Sequence, residues 1–329
     1  NAQRKAEAEE VKQRIVTQLR EIGIDEFSMR AFQEYRRMMA DPKRQVNPAI
    51  SEYVKLRITI APDAPLGDRE VRLVGALGMT NPLKFQVGVL PEKCEKEPND
   101  VGPNVVTADP PLVLNGQIMP GDVDRFRIRA RKGEQLIAWA QARALIPYLA
   151  DAVPGWFQAV LSLRTTTGRE LAYCDDNRFD PDPVIAVEIP EDGEYDLEIR
   201  DAIYRGREDF VYRIAVGRIP YIQGIYPLGG PVGRTTTVQL TGWNLPQSAI
   251  PFTPAGPGVQ RVAVRAGDLL SNWQPFLADT WPELYEREPN NDVSQANAVS
   301  APVIVNGRIG APGEVDQYRF EASAGVTVV

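Results

Sequence analysis

The segment Glu95-Lys-Glu-Pro-Asn-Asp100 returns 191 residues later in the chain as Glu286-Arg-Glu-Pro-Asn-Asn291. Each copy is followed by an Asn-Gly pair, and then by a short acidic turn that leads into an aromatic residue. These are Asn115-Gly116, Asp122, Asp124 and Phe126 in the first copy, and Asn306-Gly307, Glu314, Asp316 and Tyr318 in the second. A motif that recurs together with its surroundings indicates an internal repeat.

The repeat extends beyond this motif. A shift of 191 residues aligns 67–116 with 258–307 without a gap, so that Val71 falls on Val262 and Phe85 on Phe276. We interpret the chain as a repeated two-domain unit, in which a small β domain precedes a larger β-sandwich. Duplication of this kind is more typical of structural and binding modules than of catalytic domains, so we expect no enzyme activity.

Composition excludes several classes of function. Histidine is absent from the 329 residues, which removes Ser-His-Asp and Cys-His catalysis and histidine-ligated zinc. The net charge of −7 argues against nucleic acid, because phosphate binding depends on clustered Lys and Arg. No apolar run of about 18 residues exists, so we expect no membrane span. Cys94 and Cys174 can either pair or remain free thiols, and their spacing does not decide between these.

The local patterns predict a helical hairpin followed by many strands. Apolar residues at three- and four-residue steps predict a helix over 2–22, and a second helix begins near Ser28 and ends before Pro42. The narrow apolar stripe of this hairpin can contact a membrane or a partner, but we favour packing on its own domain. Period-two alternation begins after Pro48. Strands are predicted at 54–60, 71–73, 85–87, 126–128, 135–138, 160–163, 184–189, 195–199 and 212–216.

The repeated motif concentrates oxygen ligands. Its first copy offers Glu95, Glu97, Asn99 and Asp100, with Asp122 and Asp124 in the later turn. If the turn packs against the motif, about six oxygen donors converge, as Ca²⁺ requires with its 6–8 ligands. The competing interpretation is a solvated acidic linker whose side chains cap turns. Because the cluster returns with the same acidic turn behind it, we favour calcium.

Two further groups of residues are weaker candidates. A second acidic cluster can hold another ion or can serve turn chemistry, which we favour; its members are Asp175, Asp176, Asn177, Asp180 and Asp182. Paired aspartates also occur in glycoside hydrolases, but nothing else here indicates a catalytic cleft. The aromatic residues Tyr148, Trp156 and Phe157 can form a surface that binds carbohydrate or protein, although core packing is the more common role.

The pattern from Glu95 through Asn115-Gly116 and Gly121-Asp-x-Asp-x-Phe126 to Asp192-Gly-Glu-Tyr195 resembles the bacterial pre-peptidase C-terminal (PPC) domain. The resemblance covers about 92–217, and its start recurs at 283–329. It implies a jelly-roll-like β-sandwich that binds Ca²⁺ through acidic residues. Carried over by residue, the ligands are Glu95, Glu97, Asn99, Asp100, Asp122 and Asp124 in the first copy. In the second copy they are Glu286, Glu288, Asn290, Asn291 or Asp292, Glu314 and Asp316.

The companion domain is similar to the opening of immunoglobulin-like TIG/IPT domains, through Ile225-Tyr-Pro-Leu-Gly-Gly230 and Gly242-Trp-Asn-Leu245. We therefore expect a mostly β chain of tandem β-sandwiches, Ig-like and jelly-roll-like, with an inserted N-terminal helical hairpin. The expected segments are the hairpin in a truncated Ig-like domain (1–49), the end of that domain (50–89), a PPC-like sandwich (90–218), a second Ig-like domain (219–282) and the start of a second PPC-like sandwich (283–329).

These resemblances imply an exported protein, periplasmic or at the cell surface, and we expect the chain to be an excerpt of a larger one. The expected function is non-catalytic: calcium-stiffened modules whose partners are other domains or subunits of an envelope protein, or a carbohydrate or protein ligand. One alternative is a set of accessory domains on a secreted hydrolase whose catalytic domain lies outside this chain. Another is a subunit that docks into a larger envelope assembly.

Overall fold

The computed structural model describes residues 17, 28–29, 32–33, 36, 40, 54–75, 78–100, 105–146, 156–325 and 327. The chain divides into two compact units. The first comprises Asn1–Lys132 and Ala138–Val216, and the second comprises Gly133–Ile137 and Gly217–Val329.

The elements defined within the described ranges are all β-strands. Up to residue 217 they are β1 (Gly67–Val71), β2 (Val74–Gly75), β3 (Gly78–Met79), β4 (Leu83–Val87), β5 (Glu92–Cys94), β6 (Val106–Ala108), β7 (Leu112–Gln117), β8 (Asp124–Ala130), β9 (Gln135–Gln141), β10 (Ala159–Thr165), β11 (Glu170–Cys174), β12 (Val184–Glu188), β13 (Gly193–Asp201) and β14 (Val211–Gly217). Beyond it they are β15 (Tyr221–Tyr226), β16 (Gly229–Pro231), β17 (Thr236–Trp243), β18 (Ala249–Phe252), β19 (Gly258–Val262), β20 (Arg265–Ala266), β21 (Leu269–Leu270), β22 (Gln274–Asp279), β23 (Glu283–Tyr285), β24 (Asn297–Ala298), β25 (Ile304–Asn306) and β26 (Tyr318–Arg319).

The predicted fold class, tandem β-sandwiches with an inserted helical hairpin, is wrong. The described strands form nine sheets, and seven of these have only two or three strands. This division into many small sheets indicates a β-solenoid arrangement rather than tandem β-sandwiches. The helical hairpin is not supported either. Most of 1–49 lies outside the described residues, and the few described positions with helical backbone geometry, such as Ser28 and Met29, define no helix.

The first unit is built around two five-stranded sheets, in the orders β11-β10-β13-β8-β6 and β12-β9-β14-β7-β5. Their inner faces contact one another, since Phe126 on β8 meets Tyr212 on β14 edge to face at 6.3 Å between ring centroids. The six strand segments that the sequence predicts between 126 and 216 all lie in strands of these sheets. Only Ile189 falls just beyond the end of its strand.

The alternation along β8 fixes which of its side chains are buried. Phe126, Ile128 and Ala130 point inward, and the arginines between them point outward. These arginines pair with acidic residues on β13 in a ladder of three: Arg125 with Glu198 (2.7 Å), Arg127 with Asp196 (2.9 Å) and Arg129 with Glu194 (3.3 Å). Because side chains alternate with a period of two, Asp124 lies on the same inward face as Phe126.

The second unit contains two three-stranded sheets, in the orders β15-β17-β18 and β16-β22-β19. They enclose a small core of aliphatic residues around Phe276. Asn272 is buried and joins the two sheets, because its side chain accepts a hydrogen bond from the Ile222 amide (2.6 Å) and donates to the Ile222 carbonyl (2.8 Å).

The pairing at the end of the second unit repeats that of the first. β5 pairs with β7 and β6 with β8, both in parallel, and β23 pairs with β25 and β24 with β26, also in parallel. The repeat that the sequence indicates is therefore also a repeat of strand topology.

Several expectations outside these sheets can also be compared with the structure. Residues 54–60 form no strand, and their alternating apolar side chains are between 46% and 54% exposed. Cys94 and Cys174 are both free thiols. Within the described part of the chain, no helix is long and apolar enough to cross a membrane.

Candidate metal centre

The first motif copy and the acidic turn meet at the edge of the two large sheets. Glu95 directly follows β5, and its amide donates to the Asn115 carbonyl (2.9 Å), which continues the pairing with β7. Asp124 begins β8 and is fully buried because it occupies the inward face of that strand. The packing of the two sheets therefore brings together two carboxylates that are 29 residues apart in sequence.

Glu95, Glu97 and Asp124 form what we call the first cluster. One carboxylate oxygen from each lies within 4.8 Å of the other two. The other oxygen of Glu95 is held in place, because it accepts a hydrogen bond from the Gln117 amide (2.8 Å). Glu97 accepts one from the Asn99 amide (3.1 Å). The backbone of the motif and of β7 thus fixes the orientation of the carboxylates.

Two residues that the sequence analysis did not select complete this site. The Tyr212 hydroxyl, on β14, lies 2.5 Å from Asp124 Oδ2 and 3.1 Å from Glu95 Oε2. Gly116 pairs with Tyr212 in the sheet, and a Cβ there would lie 2.2 Å from the Tyr212 hydroxyl and 2.4 Å from Glu95 Oε2. The recurring Asn-Gly pair was a visible signal for Gly116. Nothing local pointed to Tyr212.

Two oxygens of the first site are buried without a hydrogen-bond partner. They are Asn99 Oδ1 and Asp124 Oδ1, and both residues are fully buried. A buried polar atom without a partner costs about 1–3 kcal/mol. Since hard oxygen atoms are the ligands that Ca²⁺ takes, an ion at this position would give both atoms a partner.

The electrostatics of the cluster also favour a cation. Burial, together with the neighbouring Glu95, raises the pKa of Asp124 to about 10. Burial and the charges of Asp122 and Asp124 raise the pKa of Glu97 to about 7. The pKa of Glu95 is raised as well, chiefly by burial. Like charges in a desolvated site oppose ionisation, and a bound divalent cation would reverse that preference.

The remaining predicted ligands of the first copy lie around this cluster in supporting positions. Asp100 accepts a hydrogen bond from the Val123 amide (3.3 Å), and its carbonyl accepts one from the Arg125 guanidinium. Asp122 is buried beside Glu97 and accepts a hydrogen bond from the Met119 amide (3.2 Å). The residues present therefore fit a calcium ion held by Glu95, Glu97, Asn99 and Asp124, with Asp122 adjacent.

The second copy reproduces this geometry, and we call Glu286, Glu288 and Asp316 the second cluster. One oxygen from each again lies within 4.8 Å of the others. Glu286 accepts a hydrogen bond from the Arg308 amide (2.6 Å), as Glu95 does from Gln117. Glu288 accepts one from the Asn290 amide (2.9 Å). Glu286 Oε2 and Asp316 Oδ1 are buried without a hydrogen-bond partner.

In the second copy, Asn291 and not Asp292 takes the position of Asp100. Asn291 Oδ1 accepts a hydrogen bond from the Val315 amide (3.2 Å), which is the position that Asp100 has in the first copy. Asp292 lies outside the cluster, and its carboxylate accepts hydrogen bonds from Ser294 and Gln295 in a local turn. Glu314 likewise caps its own turn, through the Ala311 amide (2.8 Å), beside Glu288. Asn290 is buried, and with its amide oriented to satisfy its hydrogen bonds, its nitrogen donates to Glu288 (3.0 Å).

The carboxylates of the acidic segment 175–182 do not converge on a common site. Asp175 and Asp176 are exposed, and Asp180 accepts a hydrogen bond from the Asp182 amide (3.0 Å). The Asp182 carboxylate is buried and accepts three amide hydrogen bonds, from Ala142 (3.0 Å), Arg143 (2.7 Å) and Ala144 (2.8 Å). Asp182 therefore stabilises the turn that follows β9.

Of the three aromatic residues proposed as a binding surface, the structure describes Trp156 and Phe157. Tyr148 lies outside the described residues. Phe157 is buried and stacks on Phe210 at 5.3 Å between ring centroids. Trp156 is partly buried beneath the Arg143 guanidinium, at 5.4 Å from its ring centre. Phe157 is therefore a core residue.

No protein-family model matches the chain, and no curated protein matches it. Among solved structures, the pre-peptidase C-terminal domain of a collagenase from Bacillus anthracis is similar over 36% of this chain and 100% of that chain, with 11% sequence identity and a TM-score of 0.27. PliG from Aeromonas hydrophila, a periplasmic inhibitor of g-type lysozyme, is similar over 34% of this chain and 97% of that chain, with 10% identity and a TM-score of 0.22. A PPC domain is thus among the structural neighbours of the chain. Likenesses this distant carry no argument about its function.

Proposed function

We propose that the chain is a set of non-catalytic modules of an exported multidomain protein, each stiffened by a calcium ion at a PPC-like motif. The observation that carries this proposal is the first cluster. Three carboxylates converge there beside two buried oxygens, Asn99 Oδ1 and Asp124 Oδ1, that have no hydrogen-bond partner. The second cluster supports it, because the same arrangement recurs 191 residues later.

Calcium would act mechanically in this proposal. Its ligands come from the segment 95–99 and from the start of β8, while Gly116 on β7 and Tyr212 on β14 enclose them. An ion shared by these elements ties the motif to the strands on both sides of it. Because the ion binds the folded state only, it raises the free energy of unfolding by about 2.7 kcal/mol at a hundred times its Kd.

A non-catalytic role agrees with the chemistry of the chain. Histidine is absent, which removes the commonest general base and the histidine-dependent nucleophiles. Export is part of the proposal because of the resemblance of the motif to PPC domains of secreted and surface proteins. The similarity of the small domains to immunoglobulin-like TIG domains is likewise part of the proposal and rests on sequence resemblance.

The proposal is tested on the full chain by titrating chelator-treated protein with CaCl₂ in a calorimeter and by measuring Tm with and without calcium. We expect two binding events and a higher Tm. Asp124→Asn removes one event and Asp316→Asn the other, since an amide mimics the neutral carboxyl but not the carboxylate. Asp176→Asn, on an exposed carboxylate outside both clusters, serves as the control and keeps both.

Calcium that leaves Tm unchanged and releases no heat would overturn the proposal and restore the interpretation as an acidic linker. A Tm increase that persists in the Asp124→Asn/Asp316→Asn double variant would also count against it, because the ion would then bind elsewhere.

A further inference from the structure

The second unit contains an open cleft of about 870 Å³, which lies beside the second cluster but is lined by none of its three carboxylates. One wall is the outer face of β17, and the other is the segment that joins β22 to β23. Three aromatic side chains line it: Tyr226, Trp281 and Tyr285. Trp281 is 48% exposed and Tyr285 is 44% exposed, so large ring surfaces are open to solvent. Exposed aromatic rings in a concave surface are typical of binding sites.

The polar side chains of the cleft arise from the alternation of β17. Thr236, Val238 and Leu240 face the core, which leaves Thr237 and Gln239 on the outer face. Both of these line the cleft. Amide and hydroxyl groups in this position can donate and accept hydrogen bonds at the same surface.

The segment that carries Trp281 is held in a defined shape. Asp279 Oδ1 accepts hydrogen bonds from the amides of Thr280 (2.6 Å) and Trp281 (3.3 Å). This local turn, between β22 and β23, positions the indole against the cleft without burying it. The site is therefore preorganised rather than a loose aromatic side chain.

The internal repeat provides a comparison within the chain. Positions that build the framework are the same in both copies, with Pro282 falling on Pro91 and Glu283 on Glu92. The cleft positions differ: Asp279, Trp281 and Tyr285 fall on Gly88, Leu90 and Cys94. A structural requirement of the repeat would apply to both copies. Asp279, Trp281 and Tyr285 thus belong to the second copy alone.

We propose that this cleft binds a neutral oligosaccharide of pyranose units. The apolar face of a pyranose ring stacks on an exposed indole or phenol, and its hydroxyl groups pair with side chains such as Gln239 and Thr237. A neutral ligand fits because the charged residues of the lining have both signs, with Arg234 against Asp279 and Glu283.

A peptide ligand fits this cleft less well. Peptides that bind by strand addition need a free sheet edge. β17 is hydrogen-bonded on both sides, by β15 and β18. β16 has only three residues and ends at Pro231, which has no amide hydrogen to donate.

The test is affinity electrophoresis of the full chain in native gels that contain soluble neutral polysaccharides: laminarin, xyloglucan, galactomannan or dextran. We expect at least one of them to retard the protein. Trp281→Ala should weaken that retardation tenfold or more, as should the combined change Asp279→Gly/Trp281→Leu/Tyr285→Cys, which restores the residues of the first copy. Trp273→Ala, at an exposed tryptophan outside the cleft, is the matched control and should bind like the wild type.

The result is independent of the proposed calcium sites if retardation persists in the Asp124→Asn/Asp316→Asn variant. The proposal is overturned if none of the four polysaccharides retards the wild type. Equal retardation of wild type and Trp281→Ala, whose Tm is checked to confirm folding, would overturn it as well. Binding of immobilised peptides, without any polysaccharide binding, would assign the cleft to a protein partner instead.

Discussion

The two carboxylate clusters share their backbone framework but differ in how far they are enclosed. In the first, Asp124 is fully buried, and the hydroxyl of Tyr212 reaches it from β14. In the second, Asp316 is only partly buried. There the nearby phenol belongs to Tyr318 on β26, whose pKa is raised by burial and by the charges of Glu286 and Asp316. The motif thus sets the arrangement of carboxylates, and the surrounding strands set their desolvation.

This difference predicts that the first cluster couples more strongly to stability. Its Asp124 is fully buried, so that this carboxylate is repelled by its acidic neighbours with less screening than the partly buried Asp316. A cation bound there would relieve more repulsion than one bound at the second cluster. The predictions below test this contrast.

The largest expected effect is that of Gly116→Ala. The new Cβ would lie 2.2 Å from the Tyr212 hydroxyl and 2.4 Å from Glu95, whereas in Gly307→Ala the nearest atoms are at 2.7 and 2.8 Å. We expect Gly116→Ala to destabilise the protein by about 1–3 kcal/mol and to abolish calcium binding at the first cluster. Gly307→Ala should have a smaller effect of the same kind. Urea unfolding and calcium titration of both variants measure this, and equal effects would show that the two sites are equally tight.

The second-largest loss of stability is expected from removing the hydroxyl group of Tyr212. Tyr212→Phe removes the hydroxyl that contacts the Asp124 and Glu95 carboxylates in a buried site, at a cost of about 1–3 kcal/mol. Tyr318→Phe, in the more open second site, should cost less. Thermal unfolding of the two variants in calcium-free buffer gives the comparison. A Tyr318→Phe variant that is the more destabilised of the two would contradict the assigned difference in enclosure.

The pH dependence should be a moderate effect. The pKa of Glu97 is raised from 4.5 to about 7, and that of Asp124 from 3.8 to about 10. The folded calcium-free state therefore binds more protons than the unfolded state above about pH 4, so its free energy of unfolding falls as pH rises toward 7 and beyond. Calcium pairs with the ionised carboxylates and cancels this loss.

The increase in Tm on adding calcium should therefore grow between about pH 5 and pH 8. Calorimetric scans at saturating calcium across this range measure it. Asp124→Asn, which cannot ionise at that position, provides the control and should show a flatter dependence. If the calcium-induced increase in Tm of the wild type does not change with pH, the cluster carboxylates ionise at their ordinary pKa values.

The smallest expected effect separates Asn291 from Asp292. Asn291 occupies the position of Asp100, so Asn291→Asp should add a negative charge beside the second cluster and tighten calcium binding a few-fold, or by less than about 1.4 kcal/mol. Asp292→Asn should leave the affinity unchanged, because that carboxylate caps a local turn. Titration of the second site in an Asp124→Asn background measures both. If Asp292→Asn weakens calcium binding and Asn291→Asp leaves it unchanged, Asp292 is the ligand.

Much of the candidate site could be predicted from local sequence. Glu95 and Glu97 are selected by the repeat, and Asp124 is selected by the acidic turn that follows each copy of the motif. Six of the seven strands between 126 and 216 were predicted from sequence patterns, and β11 was not. Residues 54–60 show the limit of the same reasoning, because their alternation is regular although they form no strand. Alternation identifies a face that can be buried, but a partner is needed to bury it.

The amino-acid sequence by itself determined the β character, the 191-residue repeat and the residues of the two clusters, because turns, alternation and motif spacing are local properties. The tertiary structure alone decided that Tyr212 closes the first site, 88 residues from Asp124, and that Asn291 rather than Asp292 takes the place of Asp100. The tertiary structure also decided that the described strands divide into nine sheets, most of them small, and that Trp281 and Tyr285 line a cleft. These features depend on strand register and packing between residues far apart in the chain, which no local pattern specifies.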